Sequence, residues 1–213
     1  MNKIEEELLS AQVGDTLTFG SFPQTVDAQE EPIEWHVLHK DGGTKMLLIS
    51  VSGLVAKPYH ETFGDITWEG CTLRAWLNNN FLNRAFTTEE QSYIACTNVK
   101  ATENPFYDTN SGNDTVDKVF ILDGGEAKKY FLENEAFSSS ESKQCLPTKY
   151  ASARGALNMG CSGTWWLRET GCEPYYVCFA TQSIDEQYGF RFACTPSVMV
   201  RPALWVEMPH EGK

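Results

Sequence analysis

No stretch of the 213 residues comes near the roughly 18 consecutive apolar residues of a membrane-spanning helix. The opening Met1–Gln12 has no basic segment ahead of an apolar one, so it is not a secretory leader, and a cytoplasmic protein is expected. Basic residues are few. Seventeen face 29 acids, for a net charge of −12. That argues against nucleic-acid binding and membrane association, both of which need basic patches. Phosphate cradles are missing too, with neither GxxxxGK[ST] nor GxGxxG present. There is no HExxH, no GxSxG elbow and no EF-hand loop, and His36, His39, His60 and His210 are scattered. No catalytic residue, cofactor or metal is therefore expected. None of the seven cysteines (Cys71, Cys96, Cys145, Cys161, Cys172, Cys178, Cys194) sits in a CxxC pair or beside a histidine at zinc-finger spacing. Reduced, buried thiols are the expectation.

What is present is ordinary globular composition, 41% hydrophobic and 22% charged. The acid excess is local. Residues 1–34 carry eight acids and one base, and 101–145 carry nine acids and four bases. No Pro/Gly-rich linker divides the chain. The expected organisation is an acidic helix at 1–12, one domain at 13–207 and a tail at 208–213. Thr16 to Phe19 reads as a short strand ending at a Gly20–Gln24 turn. Ile33 to His39 alternates like a half-buried strand, and Asp41-Gly42-Gly43 signals a hairpin into Met46–Val51. Thr72 to Phe86 is the clearest helix, with Leu73, Trp76, Leu77, Phe81 and Leu82 at three-to-five spacing. Thr87 caps a following helix. Residues 101–116 read as a mobile polar loop and Asp117–Leu122 as one buried strand. Helices are expected at Gly124–Leu132 and Pro147–Ala156, with a serine-rich loop between them. The last third is strand-like. Strands, then helices, then an antiparallel-looking run is the α+β pattern.

Three constellations could carry binding. Trp68 and Arg74 flank a helix start, where an arginine pairs with a carboxylate or stacks on an indole. Trp165-Trp166-Leu167-Arg168 places one tryptophan inward and the other, Trp166, on the Arg168 side, facing a cleft near Tyr175 and Tyr176. In Val200-Arg201-Pro202 the proline suggests an edge strand or bulge, and Arg201 a partner for a buried carboxylate.

These stretches, with Gly20–Gln24, Pro32–Trp35, Cys71–Asn78 and Asp117–Phe120, resemble the DUF6273 family, a bacterial family of unassigned function, over about residues 13 to 207. The family's WWLRSPG string stands here as Trp165-Trp166-Leu167-Arg168-Glu169-Thr170-Gly171. The late Trp-Arg strand and Gly189-Phe190-Arg191-Phe192 also resemble C-type-lectin-like domains of the formylglycine-generating-enzyme type. That resemblance implies an α+β fold with a lectin-like core of antiparallel strands, flanking helices and long irregular loops. It carries over neither a calcium site nor a copper-binding cysteine pair.

The expected function is non-catalytic recognition of a peptide, glycan or protein, through Trp68, Arg74, Trp166, Arg168, Tyr175, Arg191 and Arg201. Aromatic and arginine residues dominate such interfaces. The alternatives are a cysteine-dependent oxidase using Cys172, Cys178 or Cys194, and a structural component of a cell-envelope or phage assembly.

Overall fold

The Asp41-Gly42-Gly43 turn closes as the sequence predicts. Gly42 and Gly43 take φ of +54° and +77°, the left-handed backbone that a tight hairpin turn requires and glycine adopts without a Cβ clash. It joins β2 (Glu30–Asp41) to β3 (Lys45–Ser50). The structure, a computed structural model, describes residues 3–137, 144–157, 163–181 and 189–209. The serine-rich stretch at 138–143, Cys161, His210 and the rest of the terminal tail lie outside the described residues.

β1 (Thr16–Pro23) pairs antiparallel with β2 and runs four residues past its expected end at Phe19. The reason is a bulge between Thr18 and Ser21. Gly20 sits there at φ +70°, and a Cβ on it would lie 2.6 Å from the Ala85 carbonyl and the Phe86 ring. Only glycine lets the strand continue past that contact. β12 (Ala203–Glu207) and β7 (Val119–Phe120) complete a five-stranded sheet in the order β1-β2-β3-β12-β7.

The second sheet has the order β10-β9-β8-β11-β4. It comprises β10 (Gly189–Phe192), β9 (Tyr176–Ala180), β8 (Trp165–Thr170), β11 (Met199–Val200) and β4 (Val55–Ala56). Its pairs are antiparallel except β11 with β8, which meet in parallel at Met199 and Trp165. Pro202 is not on an edge strand as its type suggests. It lies where the chain leaves β11 in one sheet and enters β12, an interior strand of the other. At such a crossover the missing N–H breaks no ladder, and the Pro202 carbonyl accepts from the Ser50 N–H at 3.0 Å.

The expected strand Asp117–Leu122 divides in the same way. β6 (Thr115–Asp117) pairs only with β5 (Thr97–Val99), while β7 belongs to the first sheet. The predicted long helix is α2 (Thr72–Trp76), a π-turn (Leu77–Phe81) and α3 (Leu82–Ala85). Trp76 to Phe81 and Leu77 to Leu82 are five apart, and the wider π-turn lets Leu77, Phe81 and Leu82 all reach the core.

α4 (Thr88–Tyr93) starts on the expected Thr87 cap, with Glu90 closing a capping box. α5 (Gly124–Phe131) starts on an equivalent box of Asp123 and Glu126. α6 (Lys149–Ala153) is capped by Thr148, so Pro147 precedes the helix instead of opening it. α1 (Lys3–Ser10) buries Leu8. One continuous buried cluster draws on both sheets and on α1, α2, α3 and α5. The described residues are therefore a single mixed α+β domain. None of their helices is long and apolar enough to cross a membrane.

Candidate functional site

The arginines and tryptophans singled out in the sequence are mostly interior ties. The Asp117 carboxylate is buried and collects four donors. Trp68 Nε1 (3.0 Å) and Thr115 Oγ1 (2.6 Å) reach Oδ2, and Arg74 Nε (2.7 Å) and Asn78 Nδ2 (3.4 Å) reach Oδ1. Asn78 Oδ1 accepts from the Lys118 and Val119 N–H groups, and its Nδ2 donates to the Val119 carbonyl at 2.9 Å. The helix motif thus satisfies the backbone at the point where β6 turns into β7. Of the two options for Arg74, it takes the carboxylate.

Arg168 was expected beside a cleft but is buried. It donates to Asp123 and Glu126, each at 2.8 Å, and to the Ile121 carbonyl. It grips the capping box of α5 and holds that helix against β8. Trp166 is fully buried too, donating to the Lys57 carbonyl at 2.8 Å and packing on Tyr59. With Trp166 fully buried and Arg168 nearly so, neither side chain faces an open cleft among the described residues. Arg201 departs further from expectation. Among the described residues, no carboxylate pairs with it. Its guanidinium lies 4.9 Å from the Phe131 ring centre and 5.2 Å from that of Trp165, and donates to the Ser50 and Val51 carbonyls. Burial lowers its pKa. It joins the two sheets at the crossover.

Glu169 is the unusual buried acid. One oxygen accepts from the Gly124 N–H at 2.6 Å, and the other has no partner among the described residues. Burial, and then the charge of Asp123, push its carboxyl up to about 7. Cys178 is also buried. Loss of solvent, then the nearby Glu169 charge, push its thiol up to about 12, the reverse of what a nucleophilic cysteine needs. Cys172 and Cys194 are half-buried free thiols. Among the described residues, no group of three or more His, Cys, Asp or Glu could hold a metal ion.

Among the described residues, a ladder of rings lies open at the surface. Opposed residues of an antiparallel pair share a face, and Phe192 opposes Tyr176 while Phe190 opposes Cys178. On that face the rings connect from Phe63 to Tyr175 (5.3 Å between centres), Tyr175 to Phe192 (6.1 Å, stacked), Phe192 to Tyr176 (4.7 Å, stacked), Tyr176 to Phe190 (5.4 Å) and Phe190 to Tyr107 (6.0 Å). Phe63 is 67% exposed, Phe192 43% and Tyr107 40%. Large apolar rings so exposed and contiguous are uncommon on a protein surface.

The loop at 101–116 forms the far end of the ladder, and it is pinned, contrary to the mobility expected of its composition. Asn104 donates to the Thr170 carbonyl (2.7 Å) and the Cys178 sulfur (3.5 Å), and Thr109 bonds to Thr170 and Gly171. Thr102 bonds to Asp123, and Asn113 to Glu69. The loop forms an open pocket of about 650 Å³ lined by its residues 103–111. Of the predicted site residues, only Tyr175 lies on the ladder. Arg191 opposes Val177, so it projects from the other face of the hairpin, over Phe179 at 5.5 Å. The alternation in Phe190-Arg191-Phe192 was the sequence signal for this split. Phe63, between Glu61 and Asp65, gave none.

An α+β domain whose tryptophan and arginine motifs are internal ties and whose exposed rings form a contiguous surface is the class this architecture defines. The family model described as Domain of unknown function (DUF6273) matches residues 43–208. The protein belongs to the DUF6273 family. The match begins after β2, although β2 is hydrogen-bonded to β3 inside it. No curated protein and no solved structure matches the chain.

Proposed function

We propose that this chain is a non-catalytic recognition domain that binds a protein partner through the ring ladder of Phe63, Tyr175, Phe192, Tyr176, Phe190 and Tyr107. The single observation behind this reading is that ladder. Its rings hold one another in fixed orientations, so little side-chain freedom is lost when a partner covers them. Aromatic anchors of this kind dominate interface energetics. A C-type-lectin-like core accords with a binding surface built on irregular loops and a hairpin. The free cysteines among the described residues accord with a reducing, cytoplasmic setting.

Selection from a displayed random-peptide library tests the reading. Wild-type protein serves as bait and a Phe63→Ala/Phe192→Ala double variant as the counter-selection. Peptides that bind wild type and lose the double variant are expected. Recovery only of peptides that bind both equally contradicts the reading.

A further inference from the structure

Resting on the reading of the ladder as a docking face, we infer that its partner is a basic protein segment whose lysine and arginine side chains lie over the exposed rings. Carboxylates flank the ladder at both ends. At one end, Phe63 stands between exposed Glu61 and Asp65. The Ile66 N–H donates to the Pro174 carbonyl at 3.0 Å, which sets that segment beside exposed Glu173 and Tyr175. At the other end, the open pocket of about 650 Å³ is lined by Glu103 and Asp108 together with Phe106 and Tyr107. The segments that supply this surface, 58–73, 101–116 and 169–180, contain no lysine or arginine. The hairpin's one base, Arg191, is on the opposite face, over Phe179.

The faces of aromatic rings are electron-rich, and a cation within about 6 Å of the ring centre is attracted to them. Carboxylates at the rim add Coulomb attraction to the same charge. A purely apolar partner uses the rings but strips water from the carboxylates without replacing it. An acidic partner is repelled. Only a cationic segment uses both features at once. The environment of Tyr175 agrees: its phenol is pushed above the usual range by desolvation, with Glu173 and Asp65 among the contributing charges.

The test is isothermal titration of the full chain with three capped tetrapeptides: tetralysine, tetraglutamate and a neutral one of serine and tyrosine. Wild-type protein is expected to bind tetralysine and not tetraglutamate. Phe192→Ala and Phe63→Ala, both at exposed positions, are each expected to weaken tetralysine binding by about two- to fivefold. Glu173→Gln is expected to weaken it by a few-fold. Equal tetralysine affinity in wild type, Phe192→Ala and Phe63→Ala would mean diffuse attraction to an acidic protein and would overturn the inference. Absence of tetralysine binding overturns it as well. Tighter binding of the neutral peptide, lost in Phe192→Ala, overturns the basic partner and leaves the docking face standing. Failure of the docking face itself is read separately, from the library selection.

Discussion

A buried acid, Glu169, and a half-buried imidazole, His36, set opposite pH limits on stability. The Glu169 carboxyl titrates near 7 in the folded chain against an ordinary 4.5. Between those values the native state holds a proton that the unfolded chain has released. Its contribution is therefore full below about 4.5 and is lost as pH rises towards 7. His36 works in the other direction. Burial, then the Arg201 charge, lower its imidazole to about 4, so stability is lost as pH falls from 6.5 towards 4. The two windows overlap between about 4.5 and 6.5, where the opposite slopes cancel, so the maximum is a plateau over that range. Glu169→Gln keeps a carbonyl for the Gly124 N–H and removes the charge. Between pH 5 and 8 the two groups largely offset in wild type, whereas the variant keeps His36 alone, so its denaturant midpoint should rise with pH and exceed that of wild type at pH 8. Equal pH slopes in the two proteins would contradict this assignment.

At the scale of elements, the motif residues act as connectors. Asn78 reaches from the π-turn to the backbone between β6 and β7, and its loss leaves the Lys118 and Val119 N–H groups unpaired. Each such group costs about 1–3 kcal/mol when buried without a partner. Asn78→Ala should therefore lower unfolding free energy by roughly 2–5 kcal/mol in urea titration. A change below about half a kcal/mol, the usual size of an indifferent surface substitution, would refute that role.

Elements whose signal is local were legible in the sequence. Examples are the Gly42-Gly43 turn, the Thr87 cap and the alternation of Ile33–His39. Elements fixed by distant contacts were not. The bulge at Gly20 exists because α3 ends against it. The split of Asp117–Phe120 depends on Asn78, about 40 residues earlier, and the Pro202 crossover depends on which sheet each flanking strand joins. The site follows the same division. Tyr175 was legible from its aromatic neighbourhood. Arg168 and Arg201 looked like binding residues because arginine is a common interface residue, but here their polar ends meet the α5 cap and the Ser50 and Val51 carbonyls inside the fold.

At the scale of the whole molecule, the family match and the physical unit differ. The match starts at residue 43, yet β1 and β2 bury Phe22, Ile33, Trp35 and Val37 in the same core as the matched strands. A chain starting at residue 43 should lose cooperative unfolding and precipitate. A cooperative thermal transition within a few degrees of wild type would show that the hairpin is an accessory. The ladder belongs to this scale as well, since Phe63, Tyr107, Tyr175 and Phe192 come from four separate segments that only the complete fold assembles.

On the proposed function, partner binding at this assembled face depends on Phe63 and Phe192. Its most direct measurement is the dissociation constant of one library-selected peptide for wild-type protein and for Phe63→Ala/Phe192→Ala, with thermal midpoints taken in parallel. The prediction is a loss of at least about tenfold in affinity with little change in midpoint, because both positions lie on the exposed surface, Phe63 at 67% and Phe192 at 43% exposure. Equal affinity in two equally folded proteins would contradict the account.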